Sequence, residues 1–322
     1  MLVYAGIDEA GYGPMLGPLC LGCTAFVLKD YDPRKGAPDL WRILSRAVCR
    51  RPRDRRHRIA IEDSKKLKGA NSGSVHPLRA LERGVLSLHL TQGESSATDD
   101  ALFDRLGLEL PTVPWYGSST ALPVAVHTDE LRIAAARLNR VMNGAGVTCS
   151  LMRCEVIGAG DFNRQVASMR TKASVNLCCV MRLIDDVWQS YKDVHPRVIV
   201  DRQGGRTKYL RILQLSFEGA QVRIVAEDPG QSRYHLVRDR SQLTLSFVRA
   251  AESQHLPVAL ASMIAKYVRE LLMLRLNRFF QEELPELRAT AGYVQDARRY
   301  LVEIEPVIRR LGLERTALVR SV

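Results

Sequence analysis

Two adjacent acids near the start of the chain are the residues best suited to chemistry. Asp8 and Glu9 follow the apolar run Leu2–Ile7 and precede a turn that contains Gly11 and Gly13. A buried carboxylate without a partner is very unfavourable, so this placement predicts a cation or a metal ion beside it. Neighbouring strand residues point to opposite faces, so both acids can share one site only at a strand end, or if one acts through its backbone. The alternative is a solvated acidic turn, although the glycines favour close approach of a ligand to the backbone.

Two further acids, later in the chain, lie at the boundaries of predicted strands or helices. Asp201 ends the β-branched run that starts at Arg197, and Glu252 precedes a helical pattern that starts at Val258. Taken alone, Asp201 is typical of a turn and Glu252 of a helix N-terminus, where the dipole favours an acid. Ligand sites of α/β sheets form at the carboxyl ends of strands. Oxygen ligands from three segments, without a cysteine or histidine cluster, suit Mg²⁺ or Mn²⁺.

The apolar periodicity predicts alternating strands and helices that would position these acids. The predicted strands are Leu2–Ile7, Leu19–Leu28, Val85–Leu90, Cys149–Val156, Arg197–Asp201, Val222–Ala226, Tyr234–Val237 and Ser241–Val248. Tyr234–Val237 is the candidate hairpin partner of Ser241–Val248. The predicted helices are Leu40–Val48, Glu130–Met142, Asp161–Lys192, Tyr209–Phe217, Val258–Phe280 and Ala297–Leu311. Small residues early in the helix from Val258 predict close packing against the sheet, and Ser64 is a candidate helix cap.

Composition and charge narrow the class of partner. The chain has 322 residues and a net charge of +12, which favours an anionic partner, with nucleic acid first. No apolar run reaches the roughly 18 residues of a membrane span, and no secretory signal is evident. The seven cysteines predict reduced core thiols and a cytoplasmic location, with a metal or redox role for the Cys20/Cys23 pair as the alternative.

Basic residues cluster in two segments. Arg46–Arg58 contains seven arginines and one acid, Asp54, and is either a solvated loop or an arm that contacts phosphates. Lys65 and Lys66 follow Asp63 and Ser64 in a segment that predicts the start of a helix.

Four segments in a fixed order resemble the type 2 ribonucleases H, the ribonuclease HII/HIII family. They are Gly6–Pro14, Asp63–Leu67, Val198–Asp201, and Ala251-Glu252 leading into Ala261–Lys266. The resemblance implies an α/β ribonuclease H-like fold with a five-stranded mixed sheet flanked by helices. It implies a single catalytic domain over residues 1–322, with a helical C-terminal region at 270–322. Residues 68–148 lie outside the resemblance, and we expect them to form an insertion that packs near the substrate groove.

The resemblance also implies the activity and the site. The expected enzyme is a ribonuclease H that cuts the RNA strand of RNA–DNA hybrids, or at ribonucleotides embedded in a DNA duplex. Its two-metal site of Mg²⁺ or Mn²⁺ would be formed by the four catalytic carboxylates. A second set of residues would bind the substrate. The carboxylates are Asp8, Glu9, Asp201 and Glu252, and the substrate-binding residues are Gly11, Tyr12, Gly13, Lys65, Lys66 and Tyr293.

Two positions depart from the family pattern. Tyr12 stands where ribonuclease HII has an arginine between two glycines. Glu252 stands where ribonuclease HII has aspartate, and this glutamate is more similar to ribonuclease HIII. Tyr12 therefore bears on substrate choice rather than on hydrolysis. The open alternatives are a non-catalytic hybrid-binding protein and a related nuclease for another structure, such as a DNA junction. No membrane and no obligate protein partner is inferred.

Overall fold

The structure, a computed structural model, describes residues 1–69, 75–93 and 95–321. Its strands are β1 Leu2–Ala10, β2 Leu19–Leu28, β3 Val48–Cys49, β4 Ile59–Ala60, β5 Val147–Ile157, β6 Arg197–Asp201, β7 Gln221–Glu227, β8 Gln231–Arg238 and β9 Ser241–Val248. Its helices are α1 Leu40–Ile43, α2 Ser64–Leu67, α3 Arg79–Thr91, α4 Asp99–Arg105, α5 Thr128–Gly144, α6 Ala159–Met169, α7 Lys172–Ser190, α8 Leu210–Ser216, α9 Leu256–Glu283, α10 Val294–Arg310 and α11 Arg315–Leu318.

The main sheet of the described chain has seven strands in the order β5-β2-β1-β6-β9-β8-β7. It is mixed, because β1, β6 and β9 are parallel while their outer neighbours are antiparallel. The mixed α/β class is confirmed, but the expected five strands are wrong. The hairpin of β7 and β8 pairs with β9 and extends the sheet by two strands at that edge.

The alternation of β1 separates two cores. Leu2 and Tyr4 face the core that contains α9, whereas Val3, Ala5 and Ile7 face the core that contains α7. Helices therefore cover both faces of the sheet. By the same alternation, the successive acids Asp8 and Glu9, near the end of β1, are directed towards different helices.

The N-terminal turns of α9 lie directly on the sheet. A Cβ on Gly6 would stand 2.3 Å from the carbonyl carbon of Pro257, and one on Gly22 would stand 2.0 Å from the carbonyl oxygen of Ala261. Real Cβ atoms do not approach other atoms this closely, so glycine is required at both positions. The predicted close packing of this helix on the sheet is confirmed.

Three predicted elements differ from the structure. Val85–Leu90 was expected as a strand but lies within α3, because the apolar positions continue upstream at helical spacing through Leu78 and Leu81. The single helix expected over Asp161–Lys192 is wrong: it breaks at Arg170, which adopts a φ of +66°. The helix expected over Leu40–Val48 ends at Ile43, and β3 begins at Val48.

The segment 68–148 contains α3, α4 and α5, and its residues 70–74 and 94 lie outside the described residues. Buried Glu82 links this segment to α9, since its carboxylate accepts hydrogen bonds from Tyr267 Oη at 2.7 Å and from the backbone N of Val124 and Ala125. The segment 270–322 contains the end of α9 together with α10 and α11.

Six of the seven cysteines are buried, and Cys178 is half-buried. Within the described ranges, no helix has both the length and the apolar character that crossing a membrane requires.

Candidate active site

The carboxyl ends of β1 and β6 bring Asp8 and Asp201 together. The parallel pairing of these strands ends at Ile7 opposite Val200, so the next residue of each strand is an aspartate. Strand β1 itself continues to Ala10 through its antiparallel pairing with β2, three residues beyond the predicted end at Ile7. Asp8 therefore lies just beyond the parallel pairing but still within β1, whereas Asp201 is the last residue of β6.

Asp8 is directed towards α9 and is 8% exposed. Its Oδ1 accepts a hydrogen bond from the backbone N–H of Glu9 at 2.8 Å. Burial raises the pKa of Asp8 well above its usual value, and the charges of Glu9 and Asp201 raise it further, against a hydrogen bond from Ser262. Ser262 Oγ lies 3.0 Å from Ser64 Oγ, so α2 and α9 together fix the hydroxyl that contacts Asp8.

Glu9 is directed towards α7. Burial raises the pKa of Glu9, whereas a hydrogen bond with Asn176 and the charge of Lys65 lower it, and Glu252 raises it. Asn176 is 1% exposed, although the helix around it is apolar. A buried amide in an apolar helix requires a polar partner, and Glu9 provides one.

Asp201 and Glu252 meet at the turn before α9. Asp201 Oδ1 accepts the backbone N–H of Ala251 at 2.8 Å, in a turn that Ala250 enters with a φ of +52°. Burial raises the pKa of Asp201 to about 7, against the hydrogen bond from Ala251, and the carboxylate of Glu252 adds to the rise. Oε2 of Glu252 is buried and has no hydrogen-bond partner.

These four acids fit a hard divalent cation in the kind and number of their ligand atoms. All are carboxylates, the pKa values of Asp8, Glu9 and Asp201 are raised, and Glu252 Oε2 has no partner. Yet no three His, Cys, Asp or Glu side chains in the described part of the chain are arranged as a finished metal site. Binding of one ion by several of these acids would therefore require their side chains to adjust.

The glycine-rich turn after β1 lies beside the acids. Gly11 has a φ of +86°, and a Cβ there would stand 2.6 Å from Arg269 Nε. A Cβ on Gly13 would meet no atom within 4 Å, so its backbone borders open space. Tyr12 is half-buried, with Lys172 Nζ 5.1 Å from its ring centroid, and burial followed by the charge of Glu9 raises its pKa.

The two lysines of α2 diverge. Lys65 is exposed and close enough to Glu9 for its charge to lower the pKa of that acid. Lys66 is directed away, because its Nζ pairs with Glu62 Oε1 at 3.2 Å. Glu62 also binds Arg50 Nη1 at 3.1 Å, so the Arg46–Arg58 segment contacts the side of α2 that carries Lys66.

Tyr293 is 55% exposed at the N-terminus of α10. It adjoins the glycine-rich turn, since the carbonyl of Gly292 accepts the N–H of Met15 at 2.8 Å and of Leu16 at 3.1 Å. The structure thus places Lys65 within range of the charge of Glu9 and Tyr293 next to a residue that hydrogen-bonds to the turn, whereas Lys66 is paired with Glu62.

Sequence reasoning missed the residues that contact the acids. Ser262 lies in a segment that carried the family resemblance, but it had no assigned role, and Asn176 was not singled out. The signal for Asn176 was a polar residue between Val175 and Leu177 in an apolar helix. Ser64, expected as the cap of α2, is its first residue, because the carboxylate of Asp63 accepts the N–H of Lys65 and caps the helix.

Comparison with known proteins gives distant structural likenesses. No protein-family model and no curated protein matches the chain. The ribonuclease HII of the Archaeoglobus fulgidus PCNA complex aligns with a TM-score of 0.42 and 14% identity, covering 98% of this chain and 93% of that one. Bst-RNase HIII in complex with Mn²⁺ aligns with a TM-score of 0.42 and 16% identity, covering 99% of this chain and 66% of that one. Ribonuclease H2 from Pyrococcus horikoshii OT3 aligns with a TM-score of 0.41 and 14% identity, covering 98% of this chain and 92% of that one. Likenesses at this level do not assign the chain to a family.

Proposed function

We propose that this chain is a ribonuclease H: a divalent-metal-dependent endonuclease that hydrolyses the RNA strand of an RNA–DNA hybrid. The products would carry 3′-hydroxyl and 5′-phosphate ends. The observation that supports this most is the convergence of four carboxylates from three segments at the ends of β1 and β6 and the turn before α9. Burial, and then the charges of neighbouring carboxylates, raise the pKa values of Asp8, Glu9 and Asp201, and a bound divalent cation would offset that repulsion.

Asp8, Glu9, Asp201 and Glu252 would hold Mg²⁺ or Mn²⁺. Bound there, such ions supply an activated water and stabilise the charge on the leaving oxygen of a phosphodiester. The chain's own groups position the acids: Ser262 contacts Asp8, and the N–H of Ala251 fixes Asp201. This arrangement requires no histidine or cysteine nucleophile.

The substrate class follows from the surroundings of the acids. A net charge of +12 favours a polyanion, and exposed Lys65 provides a cation beside Glu9. The open backbone at Gly13 permits contact with a ribose 2′-hydroxyl, the group that distinguishes RNA from DNA. Exposed Tyr293, which follows the residue that hydrogen-bonds to the turn, offers an aromatic face for a sugar or a base.

Asp201→Asn tests the catalytic assignment. This change keeps the shape of the side chain but removes its charge, so we expect cleavage of an RNA–DNA hybrid in Mg²⁺ or Mn²⁺ to fall by about a thousandfold or more, with hybrid binding retained. Asp186→Asn is the matched control, because Asp186 is half-exposed and pairs with Arg153 at 2.7 Å, away from the acids. Near-normal cleavage by Asp201→Asn would rule out the assignment.

The two lysines provide a second test of the same site. Lys65→Ala should reduce kcat/KM by about ten- to a hundredfold, because it removes the cation nearest Glu9. Lys66→Ala should change kcat/KM by less than about threefold, because its ammonium group is bound by Glu62. Equal losses in the two variants would contradict the placement of Lys65 at the reacting phosphate.

The choice of duplex separates the remaining functions. A long RNA–DNA hybrid, a DNA duplex with one ribonucleotide and an all-DNA junction should be compared under the same metal conditions. The proposal predicts cleavage of the hybrid and no cleavage of the all-DNA substrate. A protein that binds the hybrid but cleaves none of the three would instead be a hybrid-binding protein.

A further inference from the structure

Two arginine side chains are fully buried behind the Gly11–Leu16 turn. Arg269 is 0% exposed and Arg320 is 2% exposed. Arg269 Nη2 donates to the carbonyl oxygens of Leu16 and Ala291, each at 3.1 Å. Arg320 Nη2 donates to the carbonyl oxygen of Gly11 at 2.6 Å and to that of Pro14. Each guanidinium therefore uses one nitrogen to hold the turn.

The two guanidinium groups converge at Gly11. Arg269 Nε would lie 2.6 Å from a Cβ on Gly11, the residue whose carbonyl accepts from Arg320. Burial, together with the charge of Arg269, lowers the pKa of Arg320 to about 10. Two like charges are thus held close together out of water, and this is costly unless a negative charge accompanies them.

The described chain provides one carboxylate beside this pair of arginines, and two lysines share it. The Nε and Nη1 atoms of both arginines are buried without a hydrogen-bond partner. The carboxylate beside Arg269 is Glu270, with Oε1 at 3.9 Å from Nη1, and it already pairs with Lys68 and Lys266 at 2.9 and 2.8 Å. Among the described residues Arg320 has no ion pair, and its guanidinium lies 5.0 Å from the ring centroid of Phe162.

Another buried arginine of this chain shows the contrast. Arg275 is 1% exposed, and Asp99 accepts from its Nε at 2.8 Å and from its Nη2 at 2.5 Å. Nη1 of Arg275 donates to the carbonyl oxygen of Tyr116 at 2.7 Å. Every guanidinium nitrogen of Arg275 therefore has an acceptor, whereas Arg269 and Arg320 each leave two nitrogens without one.

We infer that Arg269 and Arg320 bind a small monovalent anion of the size of chloride. The burial of both side chains excludes a nucleic-acid phosphate, and a water molecule could accept hydrogen bonds but could not balance the charge. The anion would hold the two guanidinium groups against the turn and fix the backbone of Gly11 and Gly13. This inference does not depend on the proposed nuclease activity.

Bromide provides a direct test in crystals of the full chain. Crystals grown in sodium gluconate and transferred to sodium bromide should show an anomalous peak within hydrogen-bond distance of Nε or Nη1 of both arginines. A water molecule alone, or no density at that position, would overturn the inference. Bromide is suitable because it replaces chloride in such sites. It also gives an anomalous signal, which a water molecule does not.

Thermal unfolding tests the site in solution. At constant ionic strength, replacing gluconate by chloride should raise the Tm of the wild-type chain by about 2 °C, since a ligand of the folded state stabilises it. Arg320→Met should lose this chloride-dependent rise, whatever its own Tm. Arg299→Met should keep it, because Arg299 is paired with Asp296 and Glu303. An equal rise in Arg320→Met and the wild type would contradict the site.

Discussion

Gly22→Ala should separate α9 from the sheet that carries Asp8. The added Cβ would stand 2.0 Å from the carbonyl oxygen of Ala261 and 2.8 Å from its carbonyl carbon. Ordinary contact begins near 3.4 Å, so the helix must move by about 1.4 Å. Because the atoms in the way are backbone, no side-chain rotation can relieve the clash. We expect a loss of about 3–5 kcal/mol in the free energy of unfolding, at the upper end for overpacking.

Urea unfolding at neutral pH measures this loss, and Gly144→Ala is the matched control. Gly144 ends α5, and a Cβ there would meet no atom within 4 Å, so the same substitution should stabilise the chain by about 0.5–1 kcal/mol. A loss below about 1 kcal/mol for Gly22→Ala would refute the close packing of α9 on β2. The displacement should also withdraw Ser262 from Asp8. Activity should therefore fall at temperatures where the variant remains folded.

Two further predictions concern buried ionisable groups. Asp99→Ala should lower the free energy of unfolding by about 3–5 kcal/mol, because it leaves buried Arg275 without its buried carboxylate. Asp100→Ala should lower it by less than about 1 kcal/mol, because Asp100 is half-exposed. Urea unfolding measures both changes. Burial lowers the pKa of His255 to about 4 in the folded chain. Between about pH 6.5 and pH 4, His255 is therefore protonated in the unfolded chain but not in the folded one. The free energy of unfolding should fall by about 3 kcal/mol in total as the pH drops through this range. In urea titrations at several pH values, His255→Gln should remove this fall; an unchanged fall would place its origin elsewhere.

The acids were the most predictable part of the site, because their position relative to the strands can be read from sequence. An apolar run that ends in an aspartate predicted Asp201 at a strand end, and β6 does end there. The end of β1 was less predictable. Its pairing with β6 stops at Ile7, while its pairing with β2 continues to Ala10, and a linear pattern does not show that two neighbours of one strand end at different residues.

Contacts between distant segments were not predictable from local patterns. Ser64 and Ser262 are 198 positions apart and meet only because α2 packs on α9. The strand count failed for a related reason. The strands of the β7–β8 hairpin were recognised near their true positions, and the expected pairing of Tyr234–Val237 with Ser241–Val248 is confirmed. Their place at the edge of the main sheet was not predictable, because the spacing of apolar residues leaves the strand order open.

The alternation of β1 gives Asp8 and Glu9 different physical roles although they are neighbours in sequence. Asp8 is buried against α9, so its orientation depends on the same close packing that Gly6 and Gly22 permit. Glu9 faces α7 and is balanced by Asn176 and Lys65. A perturbation of α9 should therefore reach Asp8 first, and a perturbation of α7 should reach Glu9 first.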